Sequence, residues 1–128
     1  MNIKIILLIS ILSATSCTKD KSHQLTGTWE WVSTTGGIAG INETPQSTGM
    51  EKMLIINDEF IFHYEDGDLV SQSAYKIVEA PSIFSSGSVK QIEIEGSSMR
   101  QSFLAGDLTL VLRDEVYDGF EHTYIRLE

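Results

Sequence analysis

Leu25-Thr26-Gly27-Thr28-Trp29-Glu30-Trp31-Val32-Ser33-Thr34 decides how this chain folds. Successive side chains of an extended strand point to opposite faces. Trp29, Trp31 and Ser33 therefore share one side, and Thr28, Glu30 and Val32 the other. Two indoles on one face demand a deep interior to receive them. The same texture runs on to the C-terminus, in short runs where apolar and polar residues alternate and β-branched and aromatic types are frequent. No window carries the i, i+3, i+4, i+7 stripe of a helix. Eight strands are predicted, at about 26–34, 51–57, 59–65, 69–78, 88–95, 98–105, 107–113 and 121–127. Gly27 apart, the glycines fall between these runs, as do Pro45 and Pro81, where a missing N–H leaves no ladder bond unmade. Asn57-Asp58, Asp66-Gly67, Gly96-Ser97 and Gly106-Asp107 suit tight hairpins. Links this short predict an all-β, up-and-down antiparallel meander, and closing it into an eight-stranded barrel removes its exposed edges.

In such a meander the first and eighth strands run in opposite directions. The start of one and the end of the other then share a rim, which brings Trp29 next to Arg126. The longer connections, 35–50 and 114–120, fall at the opposite, open rim; 79–87 fits this parity less well. Gly27-Thr28-Trp29 on the first strand, with Arg126 on the last, resembles the lipocalin and lipocalin-like family. There a Gly-x-Trp motif opens the first strand and a closing-strand arginine packs across the indole. Trp29-Glu30-Trp31 followed by Gly36-Gly37-Ile38-Ala39-Gly40 is similar to small bacterial lipocalin-like lipoproteins. The resemblance implies a barrel whose floor is Gly27, Trp29 and Arg126, and a lipid anchor; it implies no particular ligand. A tryptophan filling the core of some other β-fold, a small sandwich included, is the alternative.

The N-terminus reads as an export signal. Lys4 supplies a positive start, Ile5 to Leu12 an apolar stretch broken by Ser10, and Ser13 to Ser16 a run of small residues. Cys17 follows at once and is the only cysteine. The order resembles a bacterial lipoprotein signal, which implies cleavage of 1–16 and a lipid on Cys17. Residues 17–24 would form a polar tether and 25–128 the barrel domain. The apolar stretch is shorter than the ~20 residues that cross a bilayer. The expected location is the cell envelope, lipid-anchored at the outer membrane and facing either the periplasm or the medium. Acid dominates: the chain's formal net charge is −9, one unit more negative without Lys4. Such a surface repels phosphate backbones, so nucleic acid is not an expected partner. With a single cysteine, stability must come from packing rather than disulfides.

Apolar alternation places Trp31, Ser33, Phe60, Phe62, Tyr64, Tyr75, Ile77, Ile92, Ile94, Phe103, Leu108, Leu110, Leu112 and Tyr124 inside with Trp29. An eight-stranded barrel either fills its interior or holds one small ligand. In the second case Trp31, Phe62, Tyr64, Tyr75, Phe103, Leu110 and Tyr124 would line a pocket for a small apolar or amphipathic molecule. In the first, the 35–50 and 114–120 loops would serve a protein or glycan partner. Residues 35–50 could also act as a lid, with Ile38, Ala39 and Ile41 folded inward. His23, His63 and His122 lack metal-ligand spacing, and His63 should face outward between Phe62 and Tyr64. Asp66-Gly67-Asp68 reads as a hairpin turn rather than a calcium loop. No nucleophile elbow, phosphate loop or dinucleotide fingerprint is present. No catalytic residue, cofactor or metal is expected, and binding is favoured over catalysis.

Overall fold

A computed structural model describes residues 24–127. It contains nine strands and one helical turn: β1 (Gly27–Gly36), β2 (Ile41–Glu43), α1 (Pro45–Thr48), β3 (Lys52–Ile56), β4 (Phe60–Glu65), β5 (Asp68–Pro81), β6 (Ser88–Ile94), β7 (Arg100–Ala105), β8 (Thr109–Asp114) and β9 (Phe120–Leu127). Strands β3 to β9 pair consecutively, β3 pairs with β1, and β9 closes on β1, all antiparallel. The result is a closed eight-stranded up-and-down barrel with one extra strand, lipocalin-like in form. Closure rules out a two-sheet sandwich. Each of the eight predicted strands has its counterpart within a few residues.

The extra strand comes from the 35–50 segment, which is more ordered than its composition suggests. Gly37 and Gly40, at φ 77° and 61°, turn the chain back so that β2 pairs with the last residues of β1. Thr44 then caps α1: its hydroxyl accepts from the Ser47 amide, while the Ser47 hydroxyl accepts from the Thr44 amide. Ile38 is 91% exposed and Ala39 is exposed as well, so neither folds inward as a lid would require.

Two bulges reset which residues face inward. On β1 the register against β9 slips between Trp31 and Ser33, and the extra residue moves the inward phase from Ser33 to Thr34, which is buried. A second slip, opposite His63 and Tyr64, leaves Val70 of β5 unpaired. Strand β4 also carries the opposite phase from the expected one. Ile61 packs against the core and His63 stands opposite buried Leu54, so Phe60, Phe62 and Tyr64 lie on the outer wall. Phe60 and Phe62 there form a tilted aromatic pair 6.1 Å apart. Leu108 belongs to the link before β8 and is 72% exposed, not internal.

The core is Leu25, Trp29, Trp31, Leu54, Ile56, Ile92, Leu110, Leu112 and Tyr124. Ile61, Tyr75, Ile77, Ile94, Phe103 and Ala105 pack around it. The β5–β6 connection follows neither rim. It turns back over the outer face of β6 to β8, where the Glu115 carboxylate accepts from Ser82 Oγ at 2.7 Å and the Ile83 amide at 2.9 Å. Arg113 lies over the Phe84 ring at 4.9 Å. Gln91 is buried beneath this flap and donates to the Ala80 and Pro81 carbonyls.

Candidate functional site

One end of the barrel is sealed by Trp29 and Arg126. The guanidinium carbon sits 4.1 Å from the indole centroid, a cation–π contact worth ~0.5–2 kcal/mol. Arg126 also donates to three carbonyls, those of Gln24 at 2.6 Å, Thr26 at 2.8 Å and Asp107 at 2.8 Å. It thereby ties the N-terminal lead, β9 and the β7–β8 link together. Trp29 Nε1 donates to the Leu25 carbonyl at 2.9 Å, so no polar atom of the plug is stranded. Gly27 makes this possible. Its φ is 142°, and a Cβ there would fall 2.5 Å from Arg126 Nη1.

The other half of the interior is not filled. A cavity of about 240 Å³ is bounded by Trp31, Leu54, Ile61, Ile94 and Leu112 as its apolar walls. The size falls just under the ~300–1,000 Å³ of drug-sized pockets, room for a compact molecule. Polar side chains interrupt the apolar wall: Lys52 from β3, His63 from β4, Ser71 and Ser73 from β5, Gln101 from β7, and His122 and Tyr124 from β9.

Part of this polar lining is locked. Trp31 Nε1 donates to Thr34 Oγ1 at 2.9 Å, and Thr34 Oγ1 lies 2.9 Å from His122 Nδ1. Thr34 Oγ1 keeps a second lone pair and its own proton, so it can accept from Nδ1–H or donate to Nδ1, the latter placing the His122 proton on Nε2. That nitrogen faces Asp114 Oδ1 at 3.8 Å. Asp114 is buried and accepts from Gln101 Nε2 at 2.8 Å and the Phe120 amide at 3.1 Å. Burial holds the His122 pKa below its ordinary value; Asp114 opposes the shift, while Lys52 and His63 reinforce it. The hydroxyl–imidazole–carboxylate order superficially matches a hydrolytic triad. The Thr34 oxygen, however, already accepts from the Trp31 indole, which takes one of its two lone pairs and holds the hydroxyl in place. These bonds fix that part of the cavity wall.

The remaining groups have no such partners. His63 Nε2 is fully enclosed and makes no hydrogen bond among the described residues. Burial pulls its pKa down, with Lys52 adding to the effect and Glu65 opposing it. Lys52 faces Glu65 across the strands, yet its Nζ lies 4.6 Å over the Trp31 ring and makes no ion pair among the described residues. The hydroxyls of Ser71, Ser73 and Tyr124 likewise make no hydrogen bonds among the described residues. Burial raises the Tyr124 pKa far above its ordinary value, so the phenol stays protonated and able to donate.

The expected pocket residues therefore part company. Trp31 and Tyr124 border the cavity. Phe103 and Leu110 face inward as packing, and Tyr75 packs against the core with its hydroxyl on the Asn57 carbonyl at 2.6 Å. Phe62 and Tyr64 are on the outer wall, and His63, expected outside, is inside. Cys17 lies outside the described residues. Lys52, Thr34 and Gln101 drew no attention in the sequence. Part of the signal was there: once Tyr75 and Ile77 are inward, parity carries Ser71 and Ser73 with them. Among the described residues no three His, Cys, Asp or Glu come together as metal ligands, and no helix is long and apolar enough to cross a membrane. Comparison of the chain with protein-family models, with curated proteins and with solved structures gives no match.

Proposed function

We propose that this chain is a lipid-anchored, lipocalin-like envelope protein that holds a small amphipathic molecule in the open half of its barrel. The observation that carries the reading is the cavity of about 240 Å³ beside Trp31, in a barrel whose other end is plugged. Its lining has apolar walls for a short hydrocarbon portion and several polar groups for a head, which favours an amphipathic ligand over a purely apolar one. Nothing in this role requires catalysis, a metal or a cofactor. The anchor is the acylated Cys17. Gln24 is bonded to Arg126 at the sealed end, so the tether would hold that end toward the bilayer and leave the mouth facing away. The test is native mass spectrometry of the purified, delipidated domain, with tryptophan emission followed during titration of a small-amphiphile panel. Saturable 1:1 binding supports the reading; no complex and no spectral change at millimolar concentrations defeats it.

A second reading has its own support. Ile38 and Tyr117 are largely exposed on the 35–50 and 114–120 loops. These loops meet where the Gly37 amide donates to the Gly119 carbonyl at 3.2 Å. A protein or glycan partner engaging this joined edge would leave the barrel interior uninvolved, and loop truncation would abolish it.

A further inference from the structure

We propose that the polar head of the bound molecule is a carboxylate, held by Lys52 and His63 with the Ser71, Ser73 and Tyr124 hydroxyls around it. This rests on the small-ligand reading and sharpens it. Every one of these groups can donate a hydrogen bond, and none donates one to another described residue, Lys52 resting over the Trp31 ring alone. Elsewhere in the interior, donors are satisfied: Trp29 by a carbonyl, Trp31 by Thr34, Gln101 by Asp114. A buried donor without an acceptor costs ~1–3 kcal/mol. His63 Nε2 is such an atom, and with the Lys52 ammonium and the hydroxyls of Ser71, Ser73 and Tyr124 bordering the same cavity it points to a group that accepts several hydrogen bonds and carries negative charge. A neutral alcohol cannot satisfy so many donors, and an ammonium would face Lys52 with like charge. Two flat oxygens fit a cavity of this size beside the Trp31 plane, with a short hydrocarbon tail against Leu54, Ile61, Ile94 and Leu112.

Binding should also take up a proton. His63 is faced by Lys52 from β3, Glu65 on its own strand, Ser71 from β5 and, across the interior, His122 with Asp114 behind it. In the free protein the balance of burial and charge holds its pKa down. An anion against Nε2 reverses that balance and raises it. Carboxylate affinity therefore strengthens as pH falls from about 8 toward 6, while the carboxylate itself stays ionised.

The experiment is calorimetric titration of the folded domain with four eight-carbon probes: octanoate, octyl phosphate, octanol and octylammonium. Octanoate should bind at least tenfold tighter than octanol and octylammonium, and tighten at least threefold between pH 8 and 6. Lys52→Gln and His63→Gln should each weaken octanoate tenfold or more, leave octanol within threefold, and in the His63 variant flatten the pH dependence. Octanol equal to octanoate overturns the head-group assignment while leaving a small-ligand barrel intact. Octyl phosphate tenfold tighter than octanoate overturns the carboxylate in favour of a phosphate. No binding of any probe removes the small-ligand reading itself. Should either variant misfold, the wild-type series and its pH dependence decide.

Discussion

Gly27→Ala is the substitution that most sharply probes how the barrel is sealed. Two penalties combine. The backbone at φ 142° is a conformation an L side chain rarely adopts, and holding it there costs ~1–3 kcal/mol. The new Cβ would also lie 2.5 Å from Arg126 Nη1. The guanidinium can move, but only by giving up its bond to the Thr26 carbonyl and its seat on Trp29. A charge-assisted hydrogen bond is worth ~1.5–3 kcal/mol and the cation–π contact ~0.5–2 kcal/mol. Because the losses overlap, we expect about 3–5 kcal/mol in all, a large part of the ~5–15 kcal/mol that keeps a domain folded. Urea unfolding followed by tryptophan emission measures it, with an unchanged denaturant slope confirming that only stability has moved. The double-mutant cycle separates the two causes. In an Arg126→Ala background nothing remains to collide with, so Gly27→Ala should cost only the backbone share, ~1–3 kcal/mol. A single-mutant cost under ~1 kcal/mol, or strict additivity with Arg126→Ala, would refute the proposed geometry of the floor.

The inward phase of β4 is checked by truncation: Ile61→Ala should destabilise by about 2–5 kcal/mol and Phe62→Ala by less than half as much, and the reverse ranking in urea melts would restore the phase expected from alternation. Stability should also fall with acid before the carboxylates titrate. His63 and His122 are each held below the ordinary 6.5, mainly by burial. The unfolded chain therefore takes up these protons first, and stability that is complete above about pH 7.5 is lost as pH drops through 6.5 toward the folded values. The urea midpoint should decline between about pH 7.5 and 5.5 and do so less steeply in His63→Gln; parallel profiles would show that His63 is not buried neutral.

The eight barrel strands, the hairpin positions and the rim shared by Trp29 and Arg126 were legible because they depend on punctuation and parity, which are local. Glycine, asparagine and proline mark the turns, and antiparallel pairing does the rest. Facing was legible only where one phase is apolar and the other polar. In Phe60-Ile61-Phe62-His63-Tyr64 both phases are bulky, and the larger aromatics misled: Trp29 and Trp31 already fill much of the interior, so the smaller Ile61 and His63 fit inside. The bulges at Trp31–Ser33 and His63–Tyr64 shift phase by one residue without any glycine to announce them. The cavity's donors come from β3, β4, β5 and β9, and their convergence depends on closure and stagger that no single strand encodes. Strand β2 was hidden for another reason: three residues carry too little alternation to be read as a strand.

The most direct test uses the two indole N–H resonances in a ¹⁵N-labelled sample titrated with octanoate. Trp31 borders the cavity and Trp29 lies in the floor beneath Arg126. A saturable shift of the Trp31 signal with Trp29 unmoved is the predicted outcome. A stationary Trp31, or a shift confined to Trp29, would contradict a carboxylate held in the upper half of this barrel.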